Sequence, residues 1–95
     1  MPALLHEYES PIGDGNGAYY VAQVHGSRNI DGRWMGWIEF VPKGQTQPVL
    51  RTGTETTQAT RDALAFWSTG LEPIYLQGAL TRAEHLIEQR TPSRR

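Results

Sequence analysis

The chain has 95 residues and a net charge of −1, with 38% hydrophobic and 20% charged residues. These values are typical of a folded domain with one modest core. The absence of cysteine excludes disulfides and thiolate metal sites. Basic residues are spread along the chain, apart from Arg90, Arg94 and Arg95 near its end. The composition therefore indicates no basic face of the kind that binds duplex nucleic acid.

Residues 1–5 lack the basic start and the apolar run of a signal peptide. No apolar stretch approaches the roughly 20 residues that span a bilayer. We therefore expect a cytoplasmic protein that makes no membrane contact.

Residues 1–17 are predicted to form a flexible N-terminal arm, with a short helix or strand near residues 3–8 as an alternative. The basis is the run I-G-D-G-N-G at residues 12–17, because glycine loses much conformational entropy on ordering. Residues 18–90 are predicted to form a single domain, and residues 91–95 a disordered basic tail.

Residues 18–25 and 33–41 are rich in strand-forming side chains and predict an antiparallel hairpin. The loop between them, residues 26–32, ends in Asp31-Gly32, which suits a turn that needs a positive φ. Alternation places Trp34, Gly36, Ile38 and Phe40 on one side of the second strand, and Met35, Trp37 and Glu39 on the other. Residues 48–52 predict a third short strand.

The threonine-rich segment 53–57 predicts the start of a first helix, because a threonine hydroxyl accepts unpaired N–H groups there. Pro73 predicts the start of a second helix, whose apolar side comprises Leu76, Ala79, Leu80, Ala83 and Ile87. The pattern predicts an α+β protein of order β-β-β-α-α. We expect a two-layer sandwich in which a three-stranded antiparallel sheet is followed by two helices packed on one face.

No set of residues indicates catalysis or metal binding. His6, Glu7 and Glu9 do not have the spacing of a closed ligand set. The serines lack a nucleophile elbow, and the glycine run lacks the lysine, strand and helix of a phosphate loop. We therefore expect a non-enzymatic protein without a metal or cofactor.

The sheet face turned away from the helices is the predicted interaction surface. Its predicted members are Tyr19, Val21, His25, Arg33, Met35, Trp37 and Arg51. Uncovered aromatic patches usually mark interaction surfaces, so we expect a homodimer or a small protein partner. Two alternatives stay open: the arm covers this face with Leu4, Leu5 or Tyr8, or its aromatic side chains, with Arg33 and Arg51, stack on nucleic-acid bases.

The second candidate is an anion site at the predicted helix start, formed by Arg51, Thr54, Thr56 and Thr57. The N-terminus of a helix attracts anions through its free N–H groups and its dipole. The alternative is a strand-to-helix turn in which the hydroxyls satisfy exposed backbone groups.

Two resemblances cover parts of the chain. The stretches W-M-G-W-I-E-F-V-P (34–42), L-R-T-G-T-E-T (50–56) and G-L-E-P-I-Y-L-Q-G-A-L (70–80) resemble short uncharacterised bacterial proteins. The strands ending in Phe40-x-Pro42, followed by a Gly53-x-Thr-rich helix start and Ala63-Leu64, are similar to the HicB-type antitoxin core. That likeness implies a sheet-and-helix fold that binds a toxin and often DNA. The chain departs from it at Lys43-Gly44, where acidic residues are usual, and in ending on a helix.

Overall fold

The computed structural model describes residues 1–44 and 47–90 and contains an antiparallel sheet and two helices. In chain order these are β1 (Ala3–Glu7), β2 (Ile12–Gly13), β3 (Tyr19–Arg28), β4 (Trp34–Pro42), β5 (Leu50–Arg51), β6 (Thr56–Gln58), α1 (Arg61–Thr69) and α2 (Pro73–Arg90). The predicted α+β class is confirmed. The predicted three-stranded sheet is too small, because the described residues supply six strands.

The hairpin of β3 and β4 forms the centre of the sheet, with Tyr20 opposite Pro42 and Arg28 opposite Trp34. The Gly32 N–H donates to the Asn29 carbonyl at 2.9 Å, and Gly32 has a φ of +87°. The predicted hairpin and its Asp31-Gly32 turn are therefore present. Strand β3 is longer than predicted, since it continues through Gly26 to Arg28, whereas the predicted third strand is only Leu50–Arg51.

The segment predicted as an arm contributes two strands to the sheet. Both β1 and β2 pair antiparallel with β3. Ile12 is buried, and Leu5 and Tyr8 pack against the main core, so apolar burial offsets part of the entropy lost on ordering. The glycines lie in the turn from β2 to β3, where the Asp14 carboxylate accepts from the N–H groups of Asn16 and Ala18. The arm extends the edge of the sheet and does not cover its free face.

The predicted start of the first helix is wrong. Thr56–Gln58 forms β6 and pairs with β4, with Met35 opposite Thr57. Helix α1 begins at Arg61, and its N-cap is Thr60, whose hydroxyl accepts from the Ala63 N–H at 3.0 Å. Threonine also favours strands, and here pairing with β4 outweighs the local tendency to cap a helix.

The helices pack on the same face of the sheet, as expected. The buried cluster joins sheet residues Tyr20, Ala22, Val24, Ile38, Phe40 and Leu50 with Leu76, Ala79, Leu80 and Ala83 of α2. Helix α2 starts at Pro73, as predicted, whereas the side chain of Ile87 and the whole of residues 91–95 lie outside the described parts. Trp34 is only half-buried, because it begins β4 next to the hairpin turn, and the Arg61 guanidinium lies 5.9 Å from its ring centre.

Leu64 of α1 fits against a pair of glycines near the turn end of the hairpin. Gly26 and Gly36 lie directly opposite each other on β3 and β4. A Cβ atom at Gly36 would lie 2.5 Å from Leu64 Cδ1, and one at Gly26 would also overlap the Leu64 side chain. The two glycines therefore form the depression that lets α1 approach the sheet, and Leu64 is fully buried there.

Within the described residues, no helix combines the length and apolarity needed to cross a membrane.

We expect Gly36→Ala to lower the free energy of unfolding by about 1–3 kcal/mol, because the added methyl group overlaps Leu64. Gly44→Ala is the matched control, since nothing lies within 4 Å of a Cβ atom at that position. Chemical denaturation of both variants measures the difference. Equal stabilities would contradict the close approach of Leu64 to the glycine pair.

Candidate functional site on the outer sheet face

The outer face is the side of the sheet opposite the helices. Strand alternation and the observed pairing place the following described residues on it: Leu4 and Glu7 of β1; Tyr19, Val21, Gln23 and His25 of β3; Met35, Trp37, Glu39 and Val41 of β4; and Arg51 of β5. Within residues 1–44 and 47–90, neither helix covers this face, because α1 and α2 pack against the opposite side. It is therefore the largest part of the sheet that the fold leaves without a covering layer.

Four polar residues form a straight line across the outer face, which we name the polar row. Glu7 lies opposite Gln23, Gln23 opposite Glu39, and Glu39 opposite Arg51. Gln23 Nε2 donates to Glu7 Oε1 at 2.9 Å. The row therefore carries an acidic group at the β1 edge, a basic group at the β5 edge, and an amide and a carboxylate between them.

Trp37 lies beside the polar row and is only 4% exposed. Its indole N–H donates to Glu39 Oε2 at 3.0 Å, and the Arg51 guanidinium lies 4.3 Å from its ring centre. His25 stacks on it with the ring centres 6.3 Å apart. The prediction of an exposed aromatic contact at Trp37 is therefore wrong, because neighbouring side chains on the outer face cover the indole.

His25 links the indole to the row. Its Nε2 atom lies 2.9 Å from Gln23 Oε1 and 3.5 Å from Glu39 Oε1. Among the described residues, every buried side-chain nitrogen or oxygen has a hydrogen-bond partner. Hydrogen bonds thus join Glu7, Gln23 and His25, and Trp37 to Glu39, so these side chains form one contact network on the outer face.

The remaining predicted surface residues lie around this network. Tyr19 is 57% exposed, Val21 and Met35 are half-buried, and Val21 lies opposite Val41. Arg33 lies in the hairpin turn, where its N–H donates to the Asp31 carboxylate, and belongs to no pairing of the row.

Sequence reasoning missed Glu7, Gln23 and Glu39 as members of the site. Alternation places Glu39 on the same side as Trp37, but an expected aromatic interaction surface gives no reason to single out its polar neighbours. Leu4, which is 52% exposed, was considered only as a residue of a covering arm. Its position opposite His25 depends on the pairing of β1, which no local pattern showed.

The structure does not bring the predicted anion site together. Thr56 and Thr57 lie in β6, Thr54 lies in the loop before it, and Arg51 lies over Trp37. The helix N-terminus that would attract the anion lies at Thr60 and Arg61. The premise for that site is therefore absent.

The acidic and histidine residues of the N-terminal segment also separate. The His6 ring packs edge-on against Tyr8 with the centres 4.5 Å apart, whereas Glu7 joins the polar row. Within the described residues, no group of three or more histidine, aspartate or glutamate side chains is arranged to hold a metal.

A second polar cluster joins Glu55, in the loop before β6, to two side chains of α2. The Tyr75 hydroxyl donates to Glu55 Oε1 at 2.5 Å, and Arg82 Nη2 donates to the same oxygen at 2.6 Å. The cluster borders a shallow cavity of about 350 Å³ lined by Gly53, Thr81 and His85 among others. Its three polar groups satisfy one another, so its geometry indicates a structural role.

Comparisons of the chain with protein-family models, with curated proteins and with solved structures find no match. The Gly53-x-Thr-rich segment behind the resemblance to HicB-type antitoxins leads into strand β6, not directly into a helix. Function must therefore be argued from the geometry of the outer face.

We expect Trp37→Ala to lower the free energy of unfolding by about 3–5 kcal/mol, because it removes a buried ring and leaves its covering side chains without partners. Trp34→Ala is the matched control and should cost about 1–2 kcal/mol, since that ring is half-exposed. Chemical denaturation of the two variants gives the order. A larger loss for Trp34→Ala would mean that Trp37 is not the buried indole.

Two tyrosines should make the protein sensitive to alkali. Burial, with a smaller contribution from Tyr75, raises the pKa of Tyr8 to about 12, and the Tyr8 hydroxyl donates to the Ser68 carbonyl. Burial and the hydrogen bond to Glu55 raise the pKa of Tyr75 to about 12. The folded state therefore holds both protons more tightly than the unfolded chain, whose tyrosines titrate near pH 10.

This stabilisation is complete below about pH 10 and is lost as the pH rises towards about 12. The free energy of unfolding, measured across that interval, should fall for the wild type. It should fall less steeply for a variant that combines Tyr8→Phe with Tyr75→Phe. Identical slopes would show that these two hydroxyls do not control alkaline unfolding.

Proposed function

We propose that the protein is a non-enzymatic, cytoplasmic interaction module that forms a homodimer through its outer face. The observation that supports this most directly is the one-sided layering of the fold. The helices cover one face of the sheet, and the opposite face combines a fixed polar row with uncovered apolar side chains. A sheet face without a covering layer is a common place for protein association.

The apolar contribution to this interface comes from both sides of the polar row. Leu4 and Tyr19 are each more than half exposed. Val21 and Val41 form a cross-strand pair on one side of the row, and Met35 lies on the other. Apolar contacts that flank satisfied polar groups match the composition of ordinary protein interfaces.

The same face is poorly suited to the alternative, a nucleic-acid-binding or HicB-like antitoxin-type regulator. Its two carboxylates, Glu7 and Glu39, repel phosphate groups. Trp37 lies beneath Arg51 and offers no open ring on which a base could stack. Arg33, also predicted for that role, lies in the hairpin turn, and residues 91–95 of the predicted basic tail lie outside the described residues.

The test compares two lysine substitutions by sedimentation velocity over a range of protein concentrations. Val41→Lys adds a charge to the outer face and should shift the dimer towards monomer by at least about tenfold in Kd. Ile74→Lys adds the same charge to the helix layer, where Ile74 is 81% exposed, and should leave the Kd unchanged.

A wild-type protein that stays monomeric at all concentrations, or equal effects of the two variants, would contradict self-association through the outer face. Repeating the wild-type measurement at high salt with added single-stranded oligonucleotide tests the alternative. Binding of the oligonucleotide that falls steeply with salt would favour the regulator.

A further inference from the structure

We infer the symmetry of this homodimer from the polar row: two copies pack outer face to outer face about a two-fold axis parallel to β3 and β4. In this arrangement Glu7 of each copy forms an ion pair with Arg51 of the other. The inference rests on the proposed function, since it specifies how the second copy lies on the same face.

The argument begins with the distribution of charge along the row. The order Glu7, Gln23, Glu39, Arg51 follows the strand order β1-β3-β4-β5, so the two end groups carry opposite charges. Neighbouring strands lie about 4.8 Å apart, which separates the ends of the row by about 14 Å. The outer face therefore has an acidic edge and a basic edge.

A two-fold axis in the plane between two stacked sheets has two simple directions. An axis parallel to the strands brings β1 of one copy over β5 of the other and keeps each residue at its own level along the strands. Glu7 then faces Arg51 of the partner copy, and Gln23 faces Glu39 of the partner copy. Every contact along the row is complementary.

The second direction, perpendicular to the strands and centred on the row, brings each strand over its own copy. Glu7 would then face Glu7 of the partner copy, and Arg51 would face Arg51 of the partner copy. Like charges opposed across an interface cost binding free energy. The charge order therefore selects the axis parallel to the strands.

The apolar residues agree with this choice. Val21 and Val41 lie opposite each other on adjacent strands, one level along from the row. The parallel axis places Val21 of one copy against Val41 of the other, so that the valine pairs form an apolar layer next to the polar one. Packed sheets lie about 10 Å apart, a distance that a glutamate and an arginine together can span.

Arg51 can contact both Trp37 of its own copy and Glu7 of the other. The centre of its guanidinium lies over the Trp37 ring, 4.3 Å from the ring centre. The edge of a guanidinium carries its N–H donors in the plane, and these fit a carboxylate. Arg51 is an exposed residue, so that edge is accessible to Glu7 of the second copy.

The test is a charge exchange followed by sedimentation. Glu7→Arg and Arg51→Glu should each raise the dimer Kd by at least about tenfold, because each creates two like-charge contacts per dimer. The double variant should return the Kd to within about threefold of the wild type. An equimolar mixture of the two single variants should also associate, since all four ion-pair partners are then opposite in charge.

The double variant controls for the loss of the Arg51–Trp37 contact, because it lacks that contact in both copies, whereas the Glu7→Arg copy in the mixture retains it. If Arg51→Glu does not fold, Arg51→Gln replaces it: Glu7→Arg should then raise the Kd in the wild-type background and have little effect beside Gln at position 51. Circular dichroism checks folding of each variant.

The outcomes separate the two proposals. A monomeric wild type contradicts both. A dimer that Val41→Lys dissociates, but whose charge variants show no loss or no recovery, retains the outer face as the interface and overturns the axis and the Glu7–Arg51 pair.

Discussion

The contact of Leu64 with the Gly26–Gly36 pair determines how closely helix α1 packs against the sheet. The glycines lie opposite each other near the turn end of the long hairpin, and any side chain on either would overlap the leucine. Interiors are close-packed, so one such contact controls how near α1 approaches the sheet. Because β1 packs beside α1 and α2 packs along β5 and β2, this approach also determines how the remaining core closes. Both helices are used on that side, and the outer face is left uncovered as a consequence.

On the outer face, the indole of Trp37 is buried by side chains of the same face. Trp37 follows Gly36 in the chain and therefore points to the other side of the sheet, away from α1 and α2. Its neighbours Arg51, His25 and Glu39 take that role, through a guanidinium over the ring, a stacked imidazole and a carboxylate on the indole N–H. An apolar ring covered by polar groups leaves charges at the surface in fixed positions. The polar row thus follows from the same alternation that places the glycines beneath Leu64.

Local patterns were sufficient for part of this arrangement. The hairpin, the Asp31-Gly32 turn and the periodicity of α2 each depend on residues close together in the chain, and the structure has all three. The prediction of a flexible arm fails at Ile12–Gly13, because pairing with β3 and burial of Ile12 stabilise this short strand. Neither interaction is visible in a glycine-rich run. The prediction that Thr56 and Thr57 begin a helix is wrong because their pairing with β4 is likewise not visible in the local sequence. For the site, alternation correctly places His25, Met35 and Trp37 on one face. The burial of Trp37 depends on Arg51, which lies on the separate strand β5.

The charged ends of the polar row also affect how the edges of the sheet can associate, because Glu7 and Arg51 lie on β1 and β5. A free edge strand offers unpaired backbone groups to other chains, and charged side chains on it discourage such pairing. Glu7 lies on the free edge strand β1, and Arg51 on β5 at the other end of the strand order. A second copy that paired along the same edge, β1 on β1 or β5 on β5, would therefore bring like charges near each other. The same copy approaching the outer face about an axis parallel to the strands would satisfy both charges and cover the valine pair. For the proposed homodimer, the two charged residues thus disfavour pairing of like edges and favour a closed, two-fold contact between outer faces.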